Sequence, residues 1–145
     1  MGGFFGVVAK QQCKNDLFYG VDYHSHLGTK NAGMTFWDEE KGFSREIHGI
    51  TNTPFRTKFE NDLTSFAGKI GIGCISDSDP QPLLIRSNLG TYAICTIGII
   101  NNADELIQTH LAYSGGHFDA MTGGRVNSNE LIAAVIDQKE SFAEG

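Results

Sequence analysis

Nowhere does the sequence hold the ~20 consecutive apolar residues that a membrane-crossing helix needs. Its start also lacks the charged, apolar and small-residue series of a signal peptide. A cytoplasmic protein with no membrane partner is therefore expected. Basic residues are scarce, with 11 Lys and Arg against 17 Asp and Glu, for a net charge of −6 at pH 7. A nucleic-acid groove draws phosphates with clustered Lys and Arg, so this balance argues against a nucleic-acid partner. Cysteine is limited to Cys13, Cys74 and Cys95, an odd number without C-x-x-C or Cys/His ligand spacing. That pattern favours reduced structural thiols over a metal or redox centre. His24, His26, His110 and His117 lack the i, i+4 spacing beside an acid that would hold a metal.

Other motifs are missing too. The Gly-rich stretches do not follow the order strand, Gly-x-x-x-x-Gly-Lys-Ser/Thr, helix, so no phosphate loop is supported. Ser76 and Ser78 have no adjacent His or Lys to activate a hydroxyl. Asp77, Ser78 and Asp79 read as a solvated Asx-turn before Pro80. Gly6 stands where a myristoylation signal needs Ser or Thr. What remains is 145 residues with 40% apolar side chains and only three prolines, which suits one globular domain with a core.

Glycine is plentiful, and it is oddly placed. The chain opens Met1-Gly2-Gly3-Phe4-Phe5-Gly6-Val7-Val8. Glycine weakens a strand unless a backbone must come close to something. Residues 4–9 read as a buried strand, and Asp16 as the cap of a helix through Leu17, Phe18 and Val21. Strands over 32–37 and 43–47 flank an acidic hairpin tip at 38–42. Pro54 suits the first position of a helix through Phe55, Phe59 and Leu63. Further strands are predicted over 69–75, 82–85 and 92–100. Asn101-Asn102 then caps an amphipathic helix over Leu106, Ile107, His110 and Leu111. Residues 114–125 read as a loop, and Asn127 to Glu130 as the cap of a helix spanning 128–143. Strands dominate first and helices later, so α+β is favoured over a doubly wound parallel sheet.

Several segments resemble, in order, the class II glutamine amidotransferases of the N-terminal nucleophile hydrolase superfamily. Removal of Met1 would leave a free amine on Gly2, followed by Gly3-Phe4-Phe5-Gly6-Val7, where that family begins Cys-Gly-Ile-x-Gly-[Ile/Val]. Residues 26–34 are similar to its His-Arg-Gly-x-[Asp/Glu]-x-[Ala/Ser]-Gly-[Ile/Met] segment. Residues 71–79 stand where it has Gly-Ile-Gly-His-x-Arg-[Tyr/Trp]-x-Thr, and Gln81-Pro82 matches the [Gln/His]-Pro that follows. Thr96 to Asn102 resembles His-Asn-Gly-x-[Ile/Leu]-x-Asn, and residues 127–131 its Ser-Asp-[Ser/Thr]-Glu-[Ile/Leu] helix start. The likeness is greatest to the glutaminase half of amidophosphoribosyltransferase, which starts purine synthesis.

The resemblance implies an αββα sandwich of antiparallel sheets, incomplete here because the family's later strands have no counterpart. Residues 1–145 are then expected to be the N-terminal part of such a domain, with exposed sheet edges, homo-oligomer formation and a downstream phosphoribosyltransferase domain. It implies no cofactor. In the family an N-terminal Cys thiolate attacks the glutamine amide, and its own amine handles the proton. Here Gly2 takes the place of that nucleophile. The family's Asn-Gly oxyanion pair corresponds to Ile97 and Gly98, so one donor is lost. The Arg and Asp that hold the α-carboxylate and α-amine of glutamine correspond to Ser76 and Ser128. With Leu27 for Arg and Cys74 for His, six positions in one pocket have changed while the fold-setting glycines and caps are kept.

The expectation is a degenerate amidotransferase-like domain without glutaminase chemistry, structural or regulatory in role, whose parent could use free ammonia. A sensing module that binds a less charged ligand between Ile97, Ser76 and Ser128 is one alternative. The other is an active enzyme whose nucleophile is Cys74 or Cys95.

Overall fold

The computed structural model describes residues 2–28 and 30–145. The removal of Met1, and Thr29 in the motif at 26–34, lie outside these residues. Strand β1 (Gly3–Val8) leads into helix α1 (Lys14–Tyr23), then the hairpin β2 (Asn31–Asp38) and β3 (Gly42–Gly49). Short helix α2 (Phe55–Phe59) and a 3-10 turn at Asp62–Thr64 precede β4 (Ile70–Ser76). A second hairpin, β5 (Leu83–Ser87) and β6 (Gly90–Ile94), is followed by α3 (Ala103–Ser114). A two-residue pair, β7 (Met121–Thr122) and β8 (Arg125–Val126), then reaches α4 (Ser128–Ile136). The class is α+β with antiparallel sheets, and the main sheet has the order β1-β4-β2-β3.

The glycines of β4 set how closely α1 lies on that sheet. In β4, Gly71 and Gly73 share a face with Ile75, directly across from Phe36, Met34 and Ala32 of β2. A Cβ on Gly73 would stand 2.5 Å from Val21 Cγ2, and one on Gly71 2.8 Å from Leu17 Cδ2. Bare backbone there lets Leu17 and Val21 bury against the strand, and both are nearly fully buried. Phe55, Phe59 and Phe66 close the core beside them, with the Phe55 and Phe59 rings 4.7 Å apart. A Gly73→Ala variant is accordingly expected to lose ~1–3 kcal/mol, the usual cost of overpacking. Urea denaturation would show it as a lower midpoint at unchanged slope.

The start of α1 departs from expectation. The helix begins at Lys14 with Cys13 at its cap position and no side-chain cap bond, so Asp16 lies inside the first turn and caps nothing. Cys13 instead ties the helix to the chain before β4: its N–H and its S–H both reach the Gly68 carbonyl, at 2.9 and 3.3 Å. Burial pushes the Cys13 thiol above its ordinary value of 9.0. An acid whose folded value is raised stabilises the fold fully below its unfolded value and loses that contribution as pH rises. Stability is thus expected to fall above pH 9.0, and less so in Cys13→Ala. Denaturant midpoints taken on either side of that pH measure the difference.

Other boundaries are corrected by where hydrogen bonds go. The strand predicted over 92–100 stops at Ile94, because the backbone of Thr96 turns to the Gln81 side chain. Pro54 precedes α2 instead of opening it, and Leu63 falls in the separate 3-10 turn. Asn102 holds the cap position of α3 without a side-chain bond. The apolar stripe of α3 stays at most half-buried, with Leu111 40% exposed, where it packs against α4. The loop at 114–125 holds strand β7 and the start of β8. Helix α4 ends at Ile136, not 143, where Asp137 to Glu140 offer no apolar side chain to bury.

Among the described residues, β1 is an edge strand whose Phe4 and Val8 are 62% and 81% exposed. No helix of the described residues is long and apolar enough to cross a membrane.

Candidate functional site

The site gathers where the start of β1 meets the end of β4. Gly3 sits opposite Ile75 in the antiparallel register, so Gly2 comes up against the last turn of the β4 backbone. A Cβ on Gly2 would stand 2.5 Å from the Ile75 carbonyl oxygen and 3.0 Å from Ile97 Cδ1. The first neighbour is backbone in the middle of a sheet and cannot swing away. Gly2 and Ile97, 95 positions apart in the sequence, are therefore brought into contact. A Cβ on Gly98 would meet nothing within 4 Å, so the backbone beside Ile97 is open. Leu27 closes another side, with Cδ1 3.1 Å from where a Cβ on Gly3 would lie.

Ser76 ends β4 and is only 3% exposed. Its hydroxyl accepts the Ser78 N–H at 3.1 Å and lies 3.3 Å from the Ser78 hydroxyl, so its polar capacity is turned inward. Ser128 enters the same neighbourhood through its backbone: its N–H donates to Asp79 Oδ2 at 3.1 Å. Within the turn at 77–79, Ser78 is exposed as expected, but Asp79 is not solvated: it is 8% exposed and its carboxylate meets the N-terminus of α4. A carboxylate there satisfies a helix-end donor and opposes the positive end of the helix dipole. Asn127 supplies the side-chain cap as expected, accepting the Asn129 N–H at 2.9 Å. Glu130 does not close a capping box; its two oxygens accept the N–H groups of Asp119 and Ala120 at 2.9 and 2.7 Å. It anchors the preceding loop to α4.

Sequence reasoning missed the group that joins these pieces. Gln81, 2% exposed, accepts the Thr96 N–H at 2.8 Å and donates to the Thr96 carbonyl at 3.0 Å. The same Oε1 accepts from Asn129 Nδ2 at 2.9 Å. One side chain thus fixes the Ile97 loop and α4 to the segment leaving β4. Next to it, Cys74 donates its S–H to the Gln81 carbonyl at 3.4 Å, and the Cys95 thiol influences its ionisation. Spacing along the chain gave no sign of this cysteine pair, because 21 positions separate its members. The influence of Cys95 and burial together hold the Cys74 thiol well above the ordinary thiol range. Cys95 moves the other way, lowered by its interaction with Cys74.

No protein-family model matches the chain. It is 28% identical over 154 aligned positions to the amidophosphoribosyltransferase of Methanocaldococcus jannaschii, an alignment that takes in 98% of this chain and 31% of that protein. Among solved structures, the glutamine phosphoribosylpyrophosphate amidotransferase from B. subtilis, complexed with ADP and GMP, superposes with a TM-score of 0.78 at 26% identity. That match covers 98% of this chain and 30% of the other. A structure of the allosteric regulatory enzyme of purine biosynthesis gives 0.77 at 24% identity over 98% and 30% of the two chains, a likeness of fold. The chain spans about a third of the length of these relatives. Sequence and fold together make it a homologue of amidophosphoribosyltransferase, built on the N-terminal nucleophile fold of that enzyme's glutamine amidotransferase domain.

Proposed function

We propose that this chain is the glutamine amidotransferase-like part of an amidophosphoribosyltransferase-type protein, that it releases no ammonia from glutamine, and that it serves a structural or regulatory role beside a downstream phosphoribosyltransferase domain. The observation that carries the reading is the seat of Gly2, a residue without a side chain pressed between the Ile75 carbonyl and the Ile97 methyl. Glutamine hydrolysis on this fold needs a nucleophile to form a thioester and donors aimed at the oxyanion that precedes it. Gly2 has no sulfur to offer, and Ile97 puts a methyl where a donor is needed. The Ser76 hydroxyl, taken by Ser78, is a poor replacement for a bidentate guanidinium on the α-carboxylate.

The cysteines do not fill the gap. A buried thiol that resists ionisation is a weak nucleophile, which argues against Cys74 in that role. Cys95, where the thiolate is favoured, precedes Ile97 by two positions and is half-buried.

The reading is tested by incubating the protein with glutamine and measuring ammonia. Release no faster than from a heat-inactivated sample is expected. Turnover above that background, abolished by Cys95→Ala, would replace this reading with an active enzyme using an unfamiliar nucleophile.

A further inference from the structure

A cavity of about 390 Å³ lies outside the candidate site, between the end of α1, the 3-10 turn at Ser25–Leu27, and the segment that runs from Ile50 into α2. The turn has two sides. Leu27 reaches toward the candidate site, with Cδ1 3.1 Å from where a Cβ on Gly3 would lie, while Ser25, His26 and Gly28 line the cavity.

The two permanently charged residues of the cavity wall, Asp22 and Arg56, are bonded to each other. Asp22 Oδ2 accepts from both Nε and Nη2 of Arg56, at 2.8 and 2.7 Å. One carboxylate oxygen takes both bonds, so Asp22 Oδ1 and Arg56 Nη1 have no partner among the described residues. The guanidinium also lies over the Tyr19 ring, 5.9 Å from its centre. Each charged group is thus held in place with part of its bonding capacity still free.

The pair carries no net charge, and that decides what it suits. A lone anion on Arg56 would meet the Asp22 carboxylate, and a lone cation on Asp22 would meet the guanidinium. A molecule with an ammonium and a carboxylate on one carbon can lie antiparallel to the pair and satisfy both ends. Carboxylate on guanidinium is also a strong, directional contact. Beside the pair, Ile50, Pro54 and Phe55 form an apolar wall, where a further charged group would be desolvated without a partner. The volume falls within the ~300–1,000 Å³ usual for small-molecule sites.

We propose that this cavity binds a free α-amino acid with an apolar side chain, its carboxylate on Arg56 Nη1, its ammonium on Asp22 Oδ1, and its side chain against Ile50, Pro54 and Phe55. The site stands whether or not glutamine is hydrolysed at Gly2, since it shares no residue with that pocket.

The experiment follows the backbone amide resonances of isotope-labelled protein during titration with L-leucine. Saturable shifts confined to residues 22–28 and 50–56 are expected. Isocaproate, which lacks the amine, and leucinamide, which lacks the carboxylate, should each bind ~10-fold or more weakly, the worth of one hydrogen bond to a charged group. Arg56→Gln and Asp22→Asn should each weaken L-leucine binding to the same degree, and Ile97→Ala should bind it as the parent does. Should either charge variant fail to fold, the two analogues on the unaltered protein give the same reading. No saturable shift with L-leucine, isocaproate or leucinamide binding as well as L-leucine, or shifts centred on Ser76 and Ile97 and lost in Ile97→Ala would overturn the site.

Discussion

A Gly2→Cys variant is expected to release no more ammonia from glutamine than the unaltered protein, although it restores the nucleophile. The sulfur would enter a space closed by the Ile75 carbonyl, 2.5 Å from the new Cβ, and by Ile97 Cδ1 at 3.0 Å. Because the first of these is sheet backbone, accommodation must move the new residue off its line with β4. Even where the start of β1 yields, the proposed reading has Ile97 leave the oxyanion one donor short, a loss of ~10²–10³ in rate for a single donor. On the same reading Ser76 supplies no carboxylate clamp to orient the substrate. Recovery is expected only when Ile97→Asn, Ser76→Arg and Ser128→Asp accompany Gly2→Cys. An ammonia assay across this series decides it. Activity in the single Gly2→Cys variant would mean that the oxyanion and substrate positions are read wrongly.

The parts of the fold that were legible in the sequence are those in which local pattern and tertiary demand agree. The hairpin of β2 and β3 is one such part: alternating apolar residues flank Asp38 to Gly42, and Asp38 Oδ1 accepts the Glu40 and Lys41 N–H groups at 3.0 and 3.1 Å. Those two bonds hold the Asp38 carboxyl below its ordinary value. The Asn127 cap is another, since a cap needs only its own helix. The strand after Tyr92 shows the opposite case. Its run of apolar residues continues to Ile100, but the ladder ends at Ile94 because a glutamine 15 positions earlier takes the next backbone groups. Nothing local marks that competition. The same holds for Asp79, which looks like a turn residue until α4, 49 positions on, presents its N-terminus. Of the site, the likeness to a family pointed to Gly2 and Ile97, and the contact between them came from the register of β1 on β4. The role of Gln81 was hidden because its partners, Thr96 and Asn129, lie 15 and 48 positions on, and sequence reasoning treated it only as part of a matching dipeptide.

Gln81 is also where the largest loss of stability is expected. Its amide serves three groups inside the protein: the Thr96 N–H, the Thr96 carbonyl and Asn129 Nδ2. Gln81→Ala removes all three partners at a position 2% exposed to solvent. Asn129 Nδ2 keeps its bond to Asn127 Oδ1, so two groups are left unpaired at ~1–3 kcal/mol each, a total of ~2–6 kcal/mol. Asn129 has little freedom to compensate, since it is fully buried and its Oδ1 already lacks a partner. The loss is comparable with the whole stability of many domains, ~5–15 kcal/mol. Gln81→Glu separates the contributions, because a carboxylate still accepts from Thr96 N–H and Asn129 Nδ2 but cannot donate to the Thr96 carbonyl. Urea denaturation of the three proteins should therefore rank Gln81→Ala and Gln81→Glu both well below the parent. An alanine variant within 1 kcal/mol of the parent, on the scale of a surface substitution, would show that water or a shifted backbone satisfies the Thr96 groups and that the Ile97 loop is held by something else.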